Sequence, residues 1–322
     1  MKKYDVIALG ELLIDFTENG ISDQGNPMLE ANPGGAPCNV LAMLNKLGKK
    51  TAFIGKVGND QFGTSLKSLL IEIGIGTDNL YLDNEIHTTL AFVHTYDDGD
   101  RDFAFYRNPG ADMMLTEEEI NIDEIKASKV FHFGTLSMTH EGVRKATKKA
   151  INAAKEAGLI ISFDPNLRPP LWDSLENAKE QIMYGLSVCD VVKIADNEIQ
   201  FVTGCEDIEE GAKRIKEQYK NIKLLLATLG KDGSIAYYDD KIVKGTPFIN
   251  EHTIETTGAG DTFCACVLNT VLDKGISGLT EIELKEMLAF ANAAASLITT
   301  KRGALKVMPE KSEVEEYMET KS

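Results

Sequence analysis

Long apolar runs, secretory signals and an excess of basic charge are all missing from this sequence. No stretch is long enough to span a bilayer, and the opening MKKYDVIALGELLIDF has none of the regions of a signal peptide. The 50 acidic residues outnumber the 34 basic ones, and a formal charge of -16 disfavours nucleic acid or an anionic membrane as a partner. We therefore expect a cytoplasmic protein with no nucleic-acid or membrane partner.

Cysteine and histidine are too few, and too irregularly spaced, to indicate a metal centre or a disulfide framework. The five cysteines include no CxxC pair, and the five histidines show no HxxxH spacing. Reduced, buried thiols and structural or surface histidines are therefore the expected outcome.

Two common nucleotide-binding loops are absent as well. GxxxxGK[ST] does not occur, and ALGELLID stands after the first strand-like run, where a dinucleotide enzyme has GxGxxG. Both a P-loop enzyme and a dinucleotide-dependent oxidoreductase are disfavoured.

What the chain does contain is a regular alternation of strand-like and helix-like segments. Continuous apolar runs such as TAFIGKVG are typical of strands covered on both faces, and amphipathic runs such as HEGVRKATKKAINAAKEAG separate them. This alternation predicts an α/β fold, a doubly wound and mainly parallel sheet with helices on both faces.

Two segments, residues 11–33 and 88–108, depart from this alternation. The second is typical of a hairpin that turns at DDGD. We predict that the two segments form a small β-sheet lid on a single α/β body made of residues 1–10, 34–87 and 109–322.

The stretch ETTGAGDTF places three small residues directly before Asp261. The apolar run that follows predicts a helix that begins at about Asp261, and successive N–H groups at a helix start form an anion site. An acid after a glycine-rich turn is equally explained as a residue favoured by the helix dipole. The rest of the chain must decide between these interpretations.

Other glycine-containing joints provide that context: NPGGAPCN, GKVGNDQFG and TLGKDG. Together with TTGAGD, and in this order, they resemble the ribokinase-like, or PfkB, family of sugar and nucleoside kinases across residues 10–303. The resemblance implies that Asp261 is the general base, and that the backbone amides of Gly258, Ala259 and Gly260 form an anion hole. Phosphoryl transfer needs mainly positioning and charge stabilisation, which amides at a helix start can supply.

The resemblance also implies sugar-binding residues near the N-terminus. These are Asp15, Gly34, Gly35 and Asn39. A carboxylate and an amide suit sugar hydroxyls because they accept or donate hydrogen bonds to adjacent OH groups. Taken alone, Asp15 would be interpreted as a strand-end acid and Asn39 as a helix N-cap, and the surrounding motifs reverse that preference.

Two further stretches, FYRNPGADM and FDPNLRPPLW, resemble the fructokinase branch of the family. They imply sugar contacts from Phe105, Arg107 and Asp164, and a contact between Arg168 and the γ-phosphate. A guanidinium suits that role because its N–H groups can hold oxyanions in a fork. A plain loop salt bridge is the competing interpretation of Arg168.

The nucleotide side follows from the same resemblance. The residues expected around ATP are Lys193, Thr228, Gly230, Gly233 and Asn292. A polar residue satisfied between packed helices is the alternative for Asn292.

The metal-binding elements depart from the family in two places. The N-x-x-E element falls on Ala195 to Glu198, so alanine replaces the asparagine and Glu198 remains to organise the water shell of Mg²⁺. Glu255 and Thr257 stand where the family binds a monovalent cation such as K⁺, but Glu255 replaces the more usual aspartate. Dependence on K⁺ is left open by this change.

These features predict an ATP-dependent sugar kinase that converts D-fructose to fructose 6-phosphate with Mg²⁺. A 2-keto-3-deoxygluconate kinase is the alternative within the family, and a catalytically silent sugar-sensing protein is the alternative from another class. Exposed lid edges also predict a homodimer that pairs through the lids.

Overall fold

A nine-stranded sheet and a separate four-stranded sheet organise the fold. The computed structural model describes residues 2–95 and 101–321. Its strands are β1 (Tyr4–Leu9), β2 (Leu13–Ile21), β3 (Pro27–Gly34), β4 (Thr51–Gly58), β5 (Ile75–Asp83), β6 (Leu90–Thr95), β7 (Arg101–Tyr106), β8 (Ser128–Gly134), β9 (Ile160–Asp164), β10 (Val191–Ala195), β11 (Leu224–Thr228), β12 (Ser234–Tyr238) and β13 (Lys241–Gly245). Its α-helices are α1 (Ala36–Lys46), α2 (Gln61–Glu72), α3 (Ile122–Lys126), α4 (Glu141–Glu156), α5 (Leu175–Val188), α6 (Asp196–Thr203), α7 (Ile208–Gln218), α8 (Ala259–Lys274), α9 (Glu281–Ile298) and α10 (Lys311–Lys321).

The large sheet has the strand order β13-β12-β11-β10-β9-β8-β1-β4-β5. Neighbours from β11 to β5 are parallel, and β12 and β13 add an antiparallel edge. This confirms the predicted doubly wound, mainly parallel sheet. The strand order reverses at β1, and ligands of open α/β sheets bind beyond the carboxyl ends of the strands at such a point.

Both faces of the large sheet are buried, as the continuous apolar runs predicted. Val6 and Ala8 of β1 pack in the cluster that includes α1, α8 and α9, whereas Ile7 and Leu9 pack in the cluster that includes α4, α5 and α7. Successive residues of a strand point to opposite faces, so one strand contributes to both cores.

The small sheet has the order β3-β2-β6-β7, and β6 and β7 form an antiparallel pair. The predicted turn at DDGD lies outside the described residues. Phe16 of β2 stacks on Phe92 of β6 at 5.0 Å between ring centroids, and it meets Phe62 of α2 edge-on at 5.7 Å. These contacts fasten the small sheet to the body.

Asp60, in the joint GKVGNDQFG, has a structural role. It is the N-cap of α2, where its carboxylate accepts from the N–H of Gly63, and it also accepts from the N–H of Thr88, each at 2.8 Å. The side chain therefore ties the start of α2 to the segment that leads into β6.

In residues 2–95 and 101–321, no helix is long and apolar enough to cross a membrane. All five cysteines are free and buried.

Candidate active site

Two adjoining cavities open at the carboxyl-terminal edge of the parallel strands. The first, of about 90 Å³, lies between the small sheet and the body. The second, of about 480 Å³, is lined mainly by the body. Both are lined by Phe105, Asn166, Arg168, Thr257, Gly258 and Asp261. A ligand in one cavity would therefore share a wall with a ligand in the other.

Asp15 of β2 faces the first cavity. Burial raises its pKa to about 7, with Glu255 adding to the shift and Arg168 opposing it. Gly34 lies against this carboxylate, since a Cβ built on Gly34 would come 2.3 Å from Oδ2 of Asp15. The expected sugar-binding role of Gly34 is thus indirect: its lack of a side chain leaves room for Asp15.

Asn39 lies in the first turn of α1, which follows Gly35. Its Nδ2 donates to Oδ2 of Asp261 at 2.8 Å. Its Oδ1 is buried, and no donor in the described part of the chain reaches it. The helix begins at Ala36, so Asn39 is not an N-cap, and the residue lines the first cavity.

Asp261 is the third residue of α8, which begins at Ala259 rather than at Asp261 as expected. Gly258 is the N-cap with φ 78°, a left-handed conformation that glycine adopts without strain. Asp261 therefore lies in the first turn of α8 and is not its N-cap. Burial raises its pKa, although the hydrogen bond from Asn39 and the charges of Lys193 and Arg168 act against the shift.

Gly258 and Gly260, at the start of α8, line the second cavity, whereas Ala259 between them does not. The N–H of Ala259 already donates to the carbonyl of Thr256 at 3.2 Å. Two of the three residues predicted to form the anion hole therefore lie at this cavity, at the positive end of a helix.

The loop after β9 contributes Asn166 and Arg168, both with left-handed backbones at φ 48° and 43°. Such strain in non-glycine residues is concentrated at functional sites. Asn166 lines both cavities together with Asp261, and its side chain acts to lower the pKa of the Asp261 carboxyl, against the larger effect of burial. Asn166 was not predicted, because nothing in FDPNLRPPLW indicates an asparagine with a left-handed backbone.

Glu11 is a second residue that sequence analysis missed. It follows β1, it is 3% exposed, and its Oε1 accepts from the N–H of Ala36 at 2.8 Å. Burial raises its pKa to about 7. Its place at the carboxyl end of the first parallel strand was the available signal, since ligand-binding residues collect at that edge.

Asp164, expected at the sugar, lies behind the cavities and lines neither of them. It forms a buried ion pair with Lys193, whose Nζ is 3.2 Å from Oδ2. Lys193 itself lines the second cavity. Burial would lower the pKa of Lys193, but the carboxylates of Asp164, Glu198 and Asp261 raise it, so the ammonium is charged.

Glu198 lines the second cavity and joins two of its walls. Its Oε1 accepts from the N–H of Leu167 and its Oε2 accepts from the N–H of Ala195, each at 2.9 Å. Each carboxylate oxygen has a further lone pair, so these bonds are compatible with holding water molecules around Mg²⁺. In residues 2–95 and 101–321, no group of three His, Cys, Asp or Glu side chains is placed to hold a metal.

Glu255 and Thr257 line the first cavity, close to the start of α8. Oε2 of Glu255 accepts from the N–H of Gly303 at 3.4 Å, and the N–H of Glu255 donates to the carbonyl of Thr299 at 3.0 Å. The segment before α8 therefore meets the segment after α9 at Glu255.

Phe105 and Arg107, both expected at the sugar, occupy different environments. Phe105 lines both cavities. Arg107 is 6% exposed and lines neither; its guanidinium pairs with Asp112 at 2.7 Å and donates to Thr139 and to the carbonyl of Leu136. Leu136 lines the first cavity, so Arg107 stabilises the wall of that cavity without lining it.

Of the residues expected at the nucleotide besides Lys193, none lines these two cavities. Thr228 ends β11, Gly230 and Gly233 flank the turn before β12, and Asn292 lies on α9. Asn292 accepts from Ser234 and donates to the carbonyl of Thr246, each at 3.0 Å. A third cavity of about 650 Å³ opens beside these bonds, between residues 244–249 and α9.

A family model for pfkB family carbohydrate kinases matches residues 3–311. The chain belongs to this family of carbohydrate kinases. The predicted family is therefore confirmed. Asp261, Gly258, Gly260 and Glu198, which the resemblance predicted at the site, line the cavities.

Relatives and solved structures of similar length support this assignment. Fructokinase-2 of Solanum habrochaites is 43% identical over 310 residues, covering 96% of this chain and 94% of the relative. Fructokinase with bound ATP from Xylella fastidiosa is 29% identical, with a TM-score of 0.88 over 98% of each chain. A fructokinase double mutant from Vibrio cholerae O395, in fructose, ADP and potassium ion bound form, is 27% identical, with a TM-score of 0.86 over 99% of each chain. The predicted ribokinase-like fold with a small β-sheet is confirmed.

Proposed function

We propose that this pfkB family member is an ATP-dependent fructokinase that transfers the γ-phosphoryl group of ATP to the terminal hydroxyl of D-fructose, yielding fructose 6-phosphate. The observation that carries the proposal is the junction of the two cavities at Asp261 and the start of α8. One reactant fits each cavity, and their shared wall carries a base and an anion site. Relatives named fructokinase, at 40–43% identity, support the choice of sugar.

Charge in the first cavity favours a neutral sugar over a sugar acid. Its lining carries the carboxylates of Glu11, Asp15, Glu255 and Asp261, and Arg168 is the one cation among these described residues. Hydroxyl groups can hydrogen-bond to these carboxyl groups in either protonation state, whereas the carboxylate of 2-keto-3-deoxygluconate would be repelled by those that are ionised. This lining favours fructose over the keto acid.

The reaction that fits this geometry is an in-line transfer. Asn39 holds Oδ2 of Asp261, and the carboxylate takes the proton of the terminal hydroxyl as that oxygen forms its bond to phosphorus. The bond from phosphorus to the leaving oxygen of ADP breaks in the same event. Negative charge on the phosphoryl oxygens then faces the amides of Gly258 and Gly260 and the guanidinium of Arg168.

Two cations complete the proposal. Mg²⁺ bound to the ATP phosphates would reduce their negative charge, with Glu198 holding its water molecules. A monovalent cation such as K⁺ would be held by Glu255 and Thr257, and the potassium ion bound by the Vibrio cholerae enzyme supports this choice. Activity measured in K⁺ and in tetramethylammonium salts at equal ionic strength tests the second cation.

Thr228, Gly230, Gly233 and Asn292 form the proposed adenosine side, with the third cavity beside them. A homodimer through the lids is proposed as well, because Ile21, Met28, Leu29 and Tyr106 leave apolar area exposed on the small sheet. Light scattering of the purified protein tests the dimer. A cytoplasmic location stays a prediction.

The activity is tested by a coupled assay of ADP formation over a panel of sugars. We expect kcat/KM for fructose to exceed that for ribose and 2-keto-3-deoxygluconate at least about tenfold, because misplaced hydroxyls leave buried polar groups without partners. Equal or better turnover of the keto acid would identify the alternative kinase. Calorimetric binding of fructose without turnover of any sugar would identify a silent sugar-sensing protein.

A further inference from the structure

The buried ion pair between Lys193 and Asp164 lies directly beneath the start of α8. Phe163 of β9 and Val192 of β10 are register partners, so the residues that follow them, Asp164 and Lys193, are adjacent across the sheet. Nζ of Lys193 is 3.2 Å from both oxygens of Asp164, and the two residues are 6% and 1% exposed. Asp164 reaches no cavity, so the contact with Lys193 is its link to the site.

The position of the ammonium group is unusual for a helix start. A Cβ built on Gly260 would come 3.0 Å from Nζ of Lys193, so the charge lies against the first turn of α8. The start of a helix is its positive end, where a cation is disfavoured and an anion is favoured. Asp164 balances the ammonium on the sheet side, and the opposite side opens into the second cavity.

We propose that Asp164 is a positioning residue, which holds the ammonium of Lys193 at the wall of the second cavity so that Lys193 stabilises the phosphoryl group during transfer. A lysine side chain is flexible and carries considerable rotamer entropy, so a fixed carboxylate partner orders the charge before the phosphates arrive. Preorganised charges of this kind need no rearrangement during the reaction. The inference rests on the proposed function, and it assigns Asp164 to the phosphate side rather than to the sugar.

A purely structural ion pair would behave differently from a positioning pair. Replacing both partners of a buried pair by neutral residues often leaves stability nearly unchanged, whereas removing one partner is costly. If the pair only supports the fold, its neutral replacement would restore activity along with stability. If Lys193 acts on the phosphates, the neutral replacement folds but stays impaired.

Three variants separate these cases: Lys193→Met, Asp164→Asn and the double variant. We expect Lys193→Met to lower kcat about 10²-fold and to raise KM for ATP about tenfold, with KM for fructose within about threefold of the parent. Asp164→Asn should shift the same two parameters by less. The double variant should match Lys193→Met, because Asp164 acts through the lysine and the effects do not multiply. Lys56→Met is the control, because Lys56 is 8% exposed, pairs with Glu119 at 2.7 Å and lines neither cavity. This variant should lower Tm and leave kcat and both KM values unchanged.

The inference is overturned if Asp164→Asn raises KM for fructose more than KM for ATP, if the two losses in kcat multiply, or if the double variant recovers parental kcat. Should Asp164→Asn fail to fold, kcat of Lys193→Met compared with kcat of the double variant tests the inference. If the parent phosphorylates no sugar, the proposed function fails, and calorimetric titration with ATP alone still tests the pair. An ATP affinity in Lys193→Met and Asp164→Asn within about threefold of the parent would then refute it.

Discussion

Replacing Asp261 by asparagine tests whether this residue is the general base or only an acid at the start of a helix. The asparagine keeps an oxygen that can accept from Nδ2 of Asn39, now 2.8 Å from Oδ2 of Asp261. It also removes a buried carboxylate whose pKa is raised by burial. We therefore expect Tm to stay within about 2 °C of the parent or to rise, because a desolvated charge is lost and its hydrogen bond is kept.

The same variant cannot take a proton from the sugar hydroxyl. Loss of a positioned general base lowers kcat about 10²–10⁴-fold, which corresponds to about 2.7–5.4 kcal/mol of transition-state stabilisation. The assay is ADP formation at saturating ATP and fructose, with calorimetric affinities for both ligands expected within a few-fold of the parent. Asp207→Asn is the control, because Asp207 caps α7 by accepting from Glu210 at 3.1 Å and lines neither cavity.

Two results would refute this reasoning. A variant that retains most of its kcat would show that Asp261 is only a helix-start acid. A variant that loses its thermal transition together with its activity would show that the residue is structural.

Three further predictions concern Gly34, Asp15 and Ala195. Gly34→Ala should raise KM for fructose and not KM for ATP, because the new Cβ would come 2.3 Å from the Asp15 carboxylate; an unchanged KM for fructose contradicts this placement. Asp15→Asn should raise Tm at pH 8 more than at pH 5. The pKa of Asp15 rises from 3.8 to about 7 on folding, so its buried charge destabilises the parent fully above pH 7 and progressively less as the pH falls toward 3.8. An equal gain at both pH values would show that the carboxyl is not buried in solution. Ala195→Asn should add about 1 kcal/mol of stability, since Ala195 is the N-cap of α6 and has no capping side chain; a lower Tm in denaturation scans would exclude capping there.

Much of the α/β body could be predicted from the sequence, because the pattern of apolar residues in each segment matches its burial in the fold. The buried strands are continuous apolar runs, and the helices between them carry one apolar face. The start of α8 was misplaced by two residues, since its N-cap, Gly258, is a left-handed glycine without a capping side chain. Sequence rules for helix starts depend on such side chains.

Asp15 and Asp261 were predicted at the site, and both line the first cavity. Two other residues predicted at the site, Arg107 and Asp164, line neither cavity, because each is held by a partner from elsewhere in the chain. Arg107 was expected over the sugar, but it pairs with Asp112, which the turn after β7 brings beneath it. Asp164 pairs with Lys193 because β9 and β10 are neighbours, a register that spacing along the chain does not reveal.

The most direct test of the central claim is to measure ADP and fructose 6-phosphate together in one reaction of the purified protein with ATP, Mg²⁺ and fructose. Fructose 6-phosphate is followed through phosphoglucose isomerase and glucose-6-phosphate dehydrogenase, which do not accept fructose 1-phosphate. If the terminal hydroxyl lies against Asp261 at the junction of the two cavities, the two products form in equal amounts. ADP formed without fructose 6-phosphate, or the absence of both, would contradict the account.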